Sequence, residues 1–216
     1  MSKVFKYQDW RRRKIAIIHM PGSTNELAAA FSMLNLPHIL YEGDDPDLES
    51  KFSDDSDSIC GISIGGGYIK PNTLIPDLPD SILDFPTPKL GICLGNEILG
   101  QYLGAKLINC NPPAGEYGEV IAKLMPNLLF EGLPDLPGKY PVRMYHIKML
   151  ESNPPESQII ASTRLTNVAG FYHPELKTWG LQFHPEKDWL NTLVVKNFYR
   201  FCLSSVEDNF LKHQEE

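Results

Sequence analysis

Apolar positions along the first half of the chain come in short continuous runs separated by stretches of helical period. Lys14-Ile15-Ala16-Ile17-Ile18 is such a run and predicts a strand buried on both faces. After Pro21-Gly22, Ser23-Thr24-Asn25-Glu26 carries a capping-box signature and opens an apolar helix through Leu34. His38-Ile39-Leu40-Tyr41 and Ile59-Cys60-Gly61-Ile62-Ser63-Ile64 predict the second and third strands. Lys89-Leu90-Gly91-Ile92-Cys93-Leu94 predicts a fourth, followed by a helix from about Asn96 to Leu103 that stops at Gly104. Strand-like pieces follow at Val120–Leu124, Val142–Tyr145, Gln158–Ala161, Val168–Tyr172 and Trp179–Phe183, then an amphipathic helix from about Trp189 to Leu203. Strands alternating with helices early, and strands dominating later, predict an α/β fold. Its central, mostly parallel sheet is flanked by helices and carries a small antiparallel addition.

The divisions that follow are a basic arm over 1–13 (Lys3, Lys6, Arg11, Arg12, Arg13), one domain over 14–203 and a polar tail over 204–216. The arm is read as solvated rather than as a docking site. Glu42 to Ser58, dense in acids, reads as a flexible loop, and proline-rich Pro71 to Pro88 as a long connection of turns. A hydrophobic content of 42% fills a core of ordinary size, so no disulfide or metal staple is required. The net charge of −7 argues against a general nucleic-acid binder. No apolar run reaches the length of a membrane span, and Met-Ser-Lys-Val-Phe-Lys has no secretory h-region. Cys60, Cys93, Cys110 and Cys202 are scattered without zinc-type spacing, which predicts a reduced, cytoplasmic protein; His19, His38 and His213 show no metal-ligand spacing either.

Gly91-Ile92-Cys93-Leu94-Gly95, between a buried strand and a helix, is the cysteine form of a nucleophile elbow. A sharp turn needs flanking residues without side chains, and the helix start directs N–H groups and a positive dipole end at the sulfur. That dipole is worth about 0.3–1 kcal/mol, too little to ionise a thiol at neutral pH, so a basic partner is required. The pentapeptide alone is equally compatible with a buried strand cysteine packed between glycines. Trp179-Gly180-Leu181-Gln182-Phe183-His184-Pro185-Glu186 supplies the partner: on an extended strand His184 and Glu186 face the same side, so Glu186 orients His184 towards Cys93. His173-Pro174-Glu175 repeats the tripeptide upstream but has the surroundings of a hairpin tip.

Together, Gly91–Gly95 and Gly180–Glu186 resemble the motifs of the class I (triad) glutamine amidotransferases, and the similarity covers about residues 14 to 203. Ile64-Gly65-Gly66-Gly67 is similar to the family's oxyanion loop, with Gly67 where the GMP-synthase branch commonly has proline. Glu116-Tyr117-Gly118-Glu119-Val120 and Leu129-Phe130-Glu131-Gly132-Leu133-Pro134 also resemble that branch, and Met144-Tyr145-His146 falls at its substrate-side Ser-His segment. The resemblance implies a flavodoxin-like fold and a cofactor-free mechanism with Cys93, His184 and Glu186 catalytic. It implies backbone N–H groups of Gly66 and Leu94 for the oxyanion, and Gly65, Glu97, Tyr145 and His146 at the substrate. It further implies ammonia transfer to an ATP-dependent synthetase; the chain shows no phosphate-binding glycine–lysine loop, so a partner subunit is expected.

Two departures bear on the substrate. Glu97 replaces the glutamine usual four residues after the nucleophile, and Lys148 replaces an acid that often follows the Ser-His segment. An ionised Glu97 only accepts hydrogen bonds, so it suits an α-ammonium and opposes a thiolate, or simply complements the helix dipole. Three readings therefore stand: a glutaminase subunit feeding a synthetase, a stand-alone γ-glutamyl hydrolase, and a catalytically silent binding subunit.

Overall fold

The computed structural model describes residues 13–70, 73–110, 115–187 and 191–212. In chain order the elements are β1 (Lys14–His19), α1 (Glu26–Met33), β2 (His38–Glu42), α2 (Leu48–Asp55), β3 (Ile59–Ile64), α3 (Asp80–Leu83), β4 (Lys89–Ile92) and α4 (Leu94–Tyr102). They continue with β5 (Leu107–Asn109), β6 (Glu116–Leu124), β7 (Gly138–His146), β8 (Lys148–Leu150), β9 (Gln158–Ser162), β10 (Gly170–His173), β11 (Thr178–Leu181) and α5 (Asn191–Lys212).

The main sheet has the order β2-β1-β3-β4-β11-β10-β9-β6-β7. β2, β1, β3, β4 and β11 run parallel, in the switch-point arrangement of a flavodoxin-like sheet. From β11 outward every pairing is antiparallel, ending in the long β6–β7 ribbon. β5 and β8 form a separate antiparallel pair. The two-residue period of β1 sorts the core into layers: Ile15 and Ile17 pack with α1 and α5, while Ala16 and Ile18 pack with α2, α3 and α4. On α5 the buried residues Val194, Val195, Phe198, Tyr199 and Cys202 recur at helical spacing, one apolar stripe laid on the sheet.

Several elements differ from the sequence expectation. The acidic segment is not a loop throughout, because Leu48 and Phe52, one turn apart, bury themselves and make α2. Phe52 meets Phe85 edge-on at 5.1 Å, and the acids stay on the solvent side. The capping box does not form: Asn25 is the N-cap of α1 without a side-chain bond, and Glu26 is taken by Thr24 and by Lys187 at 2.7 Å. α5 continues to Lys212, past the expected end at Leu203, and its expected start at Trp189 lies outside the described residues. Lys3, Lys6, Arg11, Arg12 and His213 also lie outside them. The short helix α3 interrupts the proline-rich connection because Ile82 and Leu83 are buried. Among the described residues no helix is long and apolar enough to cross a membrane.

β3, β4 and α4 converge with no side chain between them. A Cβ added to Gly95 would sit 2.2 Å from the Ile64 carbonyl oxygen, and one on Gly91 would sit 2.3 Å from the Gly95 oxygen. Both obstacles are backbone, so neither can swing aside. Gly95→Ala is therefore expected to cost about 3 kcal/mol or more, the upper end of overpacking effects. Gly118→Ala, at φ +85° with open space around it, should cost only about 1–2 kcal/mol for its backbone conformation. Thermal melts of the two variants check this ordering.

Candidate active site

Cys93 directly follows β4 and caps α4 with φ 53° and ψ −104°, a left-sided conformation that costs a non-glycine residue about 1–3 kcal/mol. Two bonds hold it there: its N–H donates to Leu181 O at 2.8 Å, and its carbonyl accepts from Glu97 N–H at 3.1 Å. The turn throws Sγ toward β7, where it meets the Tyr145 carbonyl at 3.5 Å.

His184 arrives beside it by a route different from the expected one. β11 ends at Leu181, and His184 and Glu186 do not alternate along a strand; Pro185–Lys187 is a single 3₁₀ turn. The His184 N–H donates to Arg143 O of β7 at 2.9 Å, and the turn folds Glu186 back so that Oε1 lies 2.7 Å from His184 Nδ1. The expected pairing thus forms through a turn, not through strand periodicity. His184 Nε2 is buried with no hydrogen-bond partner among the described residues. The Tyr145 ring stands edge-on to the imidazole at 5.7 Å, and Lys187 Nζ lies 5.4 Å from the Tyr145 ring centroid. A Cβ built on Gly66 would lie 2.8 Å from His184 Cε1 and 3.6 Å from Cys93 Cβ, so the imidazole and the nucleophile flank the same point. His173, by contrast, closes the β10–β11 hairpin and accepts from Leu176 N–H at 3.3 Å.

Cys93 and His184 open into a cavity of about 380 Å³, also lined by Gly66, Leu94, Glu97, Tyr145, His146, Lys148 and Lys187. Gly65 does not line it. The Gly65 N–H is bonded to Ile18 O at 2.9 Å and its carbonyl accepts from Gly95 N–H at 3.2 Å, so it ties β1 to the elbow. A larger cavity of about 480 Å³ lies around Phe85, Lys89, Tyr102 and Lys177, but it brings no cysteine–histidine pair together, and size does not choose between them.

Burial pushes the Cys93 thiol well above its ordinary value, and the carboxylates of Glu97 and Glu186 push further; Leu94 N–H and Lys187 oppose them. His184 Nε2 belongs to a residue that lines the same cavity.

Behind the nucleophile runs a buried polar chain that sequence reasoning missed: Asn96 Nδ2 donates to Gln182 Oε1 at 3.0 Å, and Gln182 Nε2 to Glu97 Oε1 at 3.1 Å. Gln182 was within reach of the reading, because polar residues stand out in an apolar strand end. Burial raises the Glu97 carboxyl to about 7 against the bond from Gln182 and the positive charges of His146 and Lys148. His146 forms a second buried set. Its Nδ1 lies 2.7 Å from Lys148 O and its Nε2 3.5 Å from Glu116 Oε2, while Thr166 bonds the same Glu116 oxygen at 2.8 Å. Burial pushes His146 down, but its bonds with Cys110, Glu116 and the Lys148 carbonyl win and lift it to about 9.

A carboxyl with a raised folded value is neutral in both states at low pH, so Glu97 costs nothing there. As pH rises from about 4.5 to about 7 the unfolded chain ionises first and stability is lost. Glu97→Gln should therefore leave stability near wild type at pH 5 and raise it by roughly 3 kcal/mol at pH 8, at 1.36 kcal/mol per pKa unit. Denaturant titrations at the two pH values measure the difference.

The profile of the glutamine amidotransferase class-I family matches residues 21–198. The glutamine-hydrolysing GMP synthase of Caldanaerobacter subterraneus is 33% identical over 157 residues, 68% of this chain and 29% of that protein. One subunit of the glutamine-hydrolysing GMP synthase of Pyrococcus abyssi is 30% identical over 66% of this chain and 75% of its own. This chain thus spans under a third of the first of these relatives and most of the second. Among solved structures, a Thermoplasma acidophilum protein assigned as one subunit of a GMP synthase superposes with a TM-score of 0.74 at 23% identity, covering 94% of this chain and 98% of the other. A glutamine amidotransferase from Thermotoga maritima gives 0.61 at 19%, covering 94% and 87%; these two likenesses establish the fold. With the profile spanning most of its length, the chain belongs to the class I glutamine amidotransferases, on the GMP-synthase side of that family.

Proposed function

We propose that this protein is a glutaminase unit that releases ammonia from the side-chain amide of glutamine through a thioester on Cys93. The observation that carries the reading is the Cys93–His184–Glu186 constellation. A thiol held protonated by burial shares one cavity with a buried imidazole nitrogen that has no other partner among the described residues, and the second ring nitrogen is fixed by a carboxylate.

In this reading Nδ1–H stays bonded to Glu186, which leaves Nε2 as the base. Nε2 takes the Sγ proton as sulfur attacks the amide carbon, and the carbonyl oxygen becomes an oxyanion. Leu94 N–H at the helix start and Gly66 N–H on the glycine loop are the donors for that charge, each worth about 2.7–4 kcal/mol. Collapse of the intermediate breaks the C–N bond; His184 returns the proton to nitrogen, ammonia leaves, and the γ-glutamyl thioester remains. His184 then deprotonates a water that attacks the thioester, and glutamate and the free thiol are restored. The ammonia would pass to an ATP-dependent synthetase, a step supported by the similarity to proteins named as one subunit of glutamine-hydrolysing GMP synthases.

Cys93→Ala should lower glutamine hydrolysis by about 10⁴-fold or more, and His184→Ala by about 10²–10⁴-fold. Labelling of Cys93 by a glutamine-like electrophile should vanish in the first and slow sharply in the second. His173→Ala should leave both readouts unchanged. Hydrolysis that survives loss of Cys93, or depends equally on His173, refutes the assignment.

A further inference from the structure

The larger cavity, of about 480 Å³, lies at the opposite end of the sheet from Cys93. Ile59, Lys89 and Thr178, the first residues of β3, β4 and β11, all line it, so it sits at the amino ends of three adjacent parallel strands. β4 thus begins in one cavity and ends beside the other. Leu83, Phe85, Leu99 and Tyr102 supply apolar walls, and the volume falls within the range of about 300–1,000 Å³ found for small-molecule sites.

Charge in this cavity is sorted by depth. Lys89 is only 6% exposed, whereas Asp84 and Glu175 are exposed at the rim and Lys177 is half-buried. Lys89 Nζ donates to Phe85 O at 2.5 Å and to Thr87 O at 3.2 Å. An ammonium has three N–H donors, so one is left over. Carbonyl oxygens also satisfy donors without cancelling the charge, and Lys89 makes no ion pair among the described residues. Asp84, whose charge reaches it, already accepts from the Tyr102 hydroxyl. A buried cation without a counter-ion is costly, and a ligand that brings the anion recovers part of that cost.

From this juxtaposition the geometry points to a second ligand site, remote from Cys93, for a small monocarboxylate with an apolar body. The carboxylate pairs with Lys89 Nζ on the floor, and the body lies along Leu83, Phe85 and Leu99. A single buried cation matches a single negative charge. The acids at the rim disfavour a dianion, and solvent already serves them, so they hold a cation weakly. The site is independent of the chemistry proposed for Cys93.

The groups facing the Lys89 ammonium are Asp84 after α3, Tyr102 on α4, Cys60 on β3, and Glu175 and Lys177 in the β10–β11 turn. Burial brings Lys89 down to about 8 against the attraction of Asp84, while the bond to Asp84 holds Tyr102, and burial holds Cys60, at about 12. Lys89 is therefore cationic at neutrality and loses its charge above pH 8, and carboxylate affinity falls with it.

The test titrates isotope-labelled full-length protein with hydrocinnamate, following backbone amide resonances by NMR. Hydrocinnamyl alcohol and phenylpropylamine serve as the neutral and cationic congeners, and acetate as the carboxylate without a body. At pH 7 hydrocinnamate should shift the amides of Phe85, Thr87, Lys89 and Lys177 saturably. It should bind about 10-fold or more tighter than the alcohol or the amine, the range of one charged hydrogen bond, and tighter than acetate. The advantage over the alcohol should shrink as pH rises above 8. Lys89→Met, which keeps an unbranched apolar chain, should bind acid and alcohol equally, a result that collapse of the cavity would not give. Equal affinity of the wild type for acid and alcohol overturns the inference without any variant. So does tighter binding of the amine, absence of saturable shifts, shifts confined to residues around Cys93, or an acid preference that survives in Lys89→Met.

Discussion

The absence of space between Gly91, Gly95 and the Ile64 carbonyl is the constraint on which the site depends. Because β3 and α4 touch through backbone alone, the chain leaving β4 has no gradual path into the helix and must turn within one residue. That residue is Cys93, and its positive φ is the geometric cost of the turn. Its sulfur consequently stands at the carboxyl ends of the parallel strands, where open α/β sheets hold their ligands. The parallel pairing of β4 with β11 then delivers the segment after Leu181 to the same end.

Electrostatics works against the nucleophile at rest. Cys93 is buried and has two carboxylates near it, which hold its thiol well above the ordinary value. The protein compensates at a distance: His146 is lifted into its charged form by Glu116, Cys110 and the Lys148 carbonyl. The cavity lining thus sets the Glu97 carboxyl against the His146 imidazole, Lys148 and Lys187.

Much of this is legible in the sequence because the strong signals are local. Continuous apolar runs mark buried parallel strands, and Gly-x-Cys-x-Gly marks a turn that only small flanking residues permit. The elements missed or misjudged depend on tertiary partners. α2 is hidden by its acids, since only Leu48 and Phe52 declare its buried side and Phe85 supplies what they pack on. The capping box fails because Lys187, far along the chain, competes for Glu26. At the site, Cys93, His184 and Glu186 are readable from motif and spacing. The 3₁₀ turn that joins the last two is not, because the anchoring bond from His184 N–H goes to Arg143 on another strand. The resemblance implies Gly65 at the substrate, and in the structure its backbone bonds to Ile18 and Gly95. The charge state of Glu97 and the polar chain behind it are properties of burial, which composition does not report.

β7 is one edge strand of the main sheet, paired only with β6 among the described strands, and it touches both His184 and Cys93. Arg143 O fixes the backbone of His184, and Tyr145 O faces the sulfur of Cys93. Cys93 and His184 are therefore measured against a common ruler, an edge strand held by a nine-residue ladder to β6. Peripheral ribbons open locally at lower free energy than a parallel core. Such an opening would separate the His184 anchor from β7 while β1, β3 and β4 remained folded. A shift of that strand would move the backbone anchor of His184 relative to Cys93 with no change in the parallel strands.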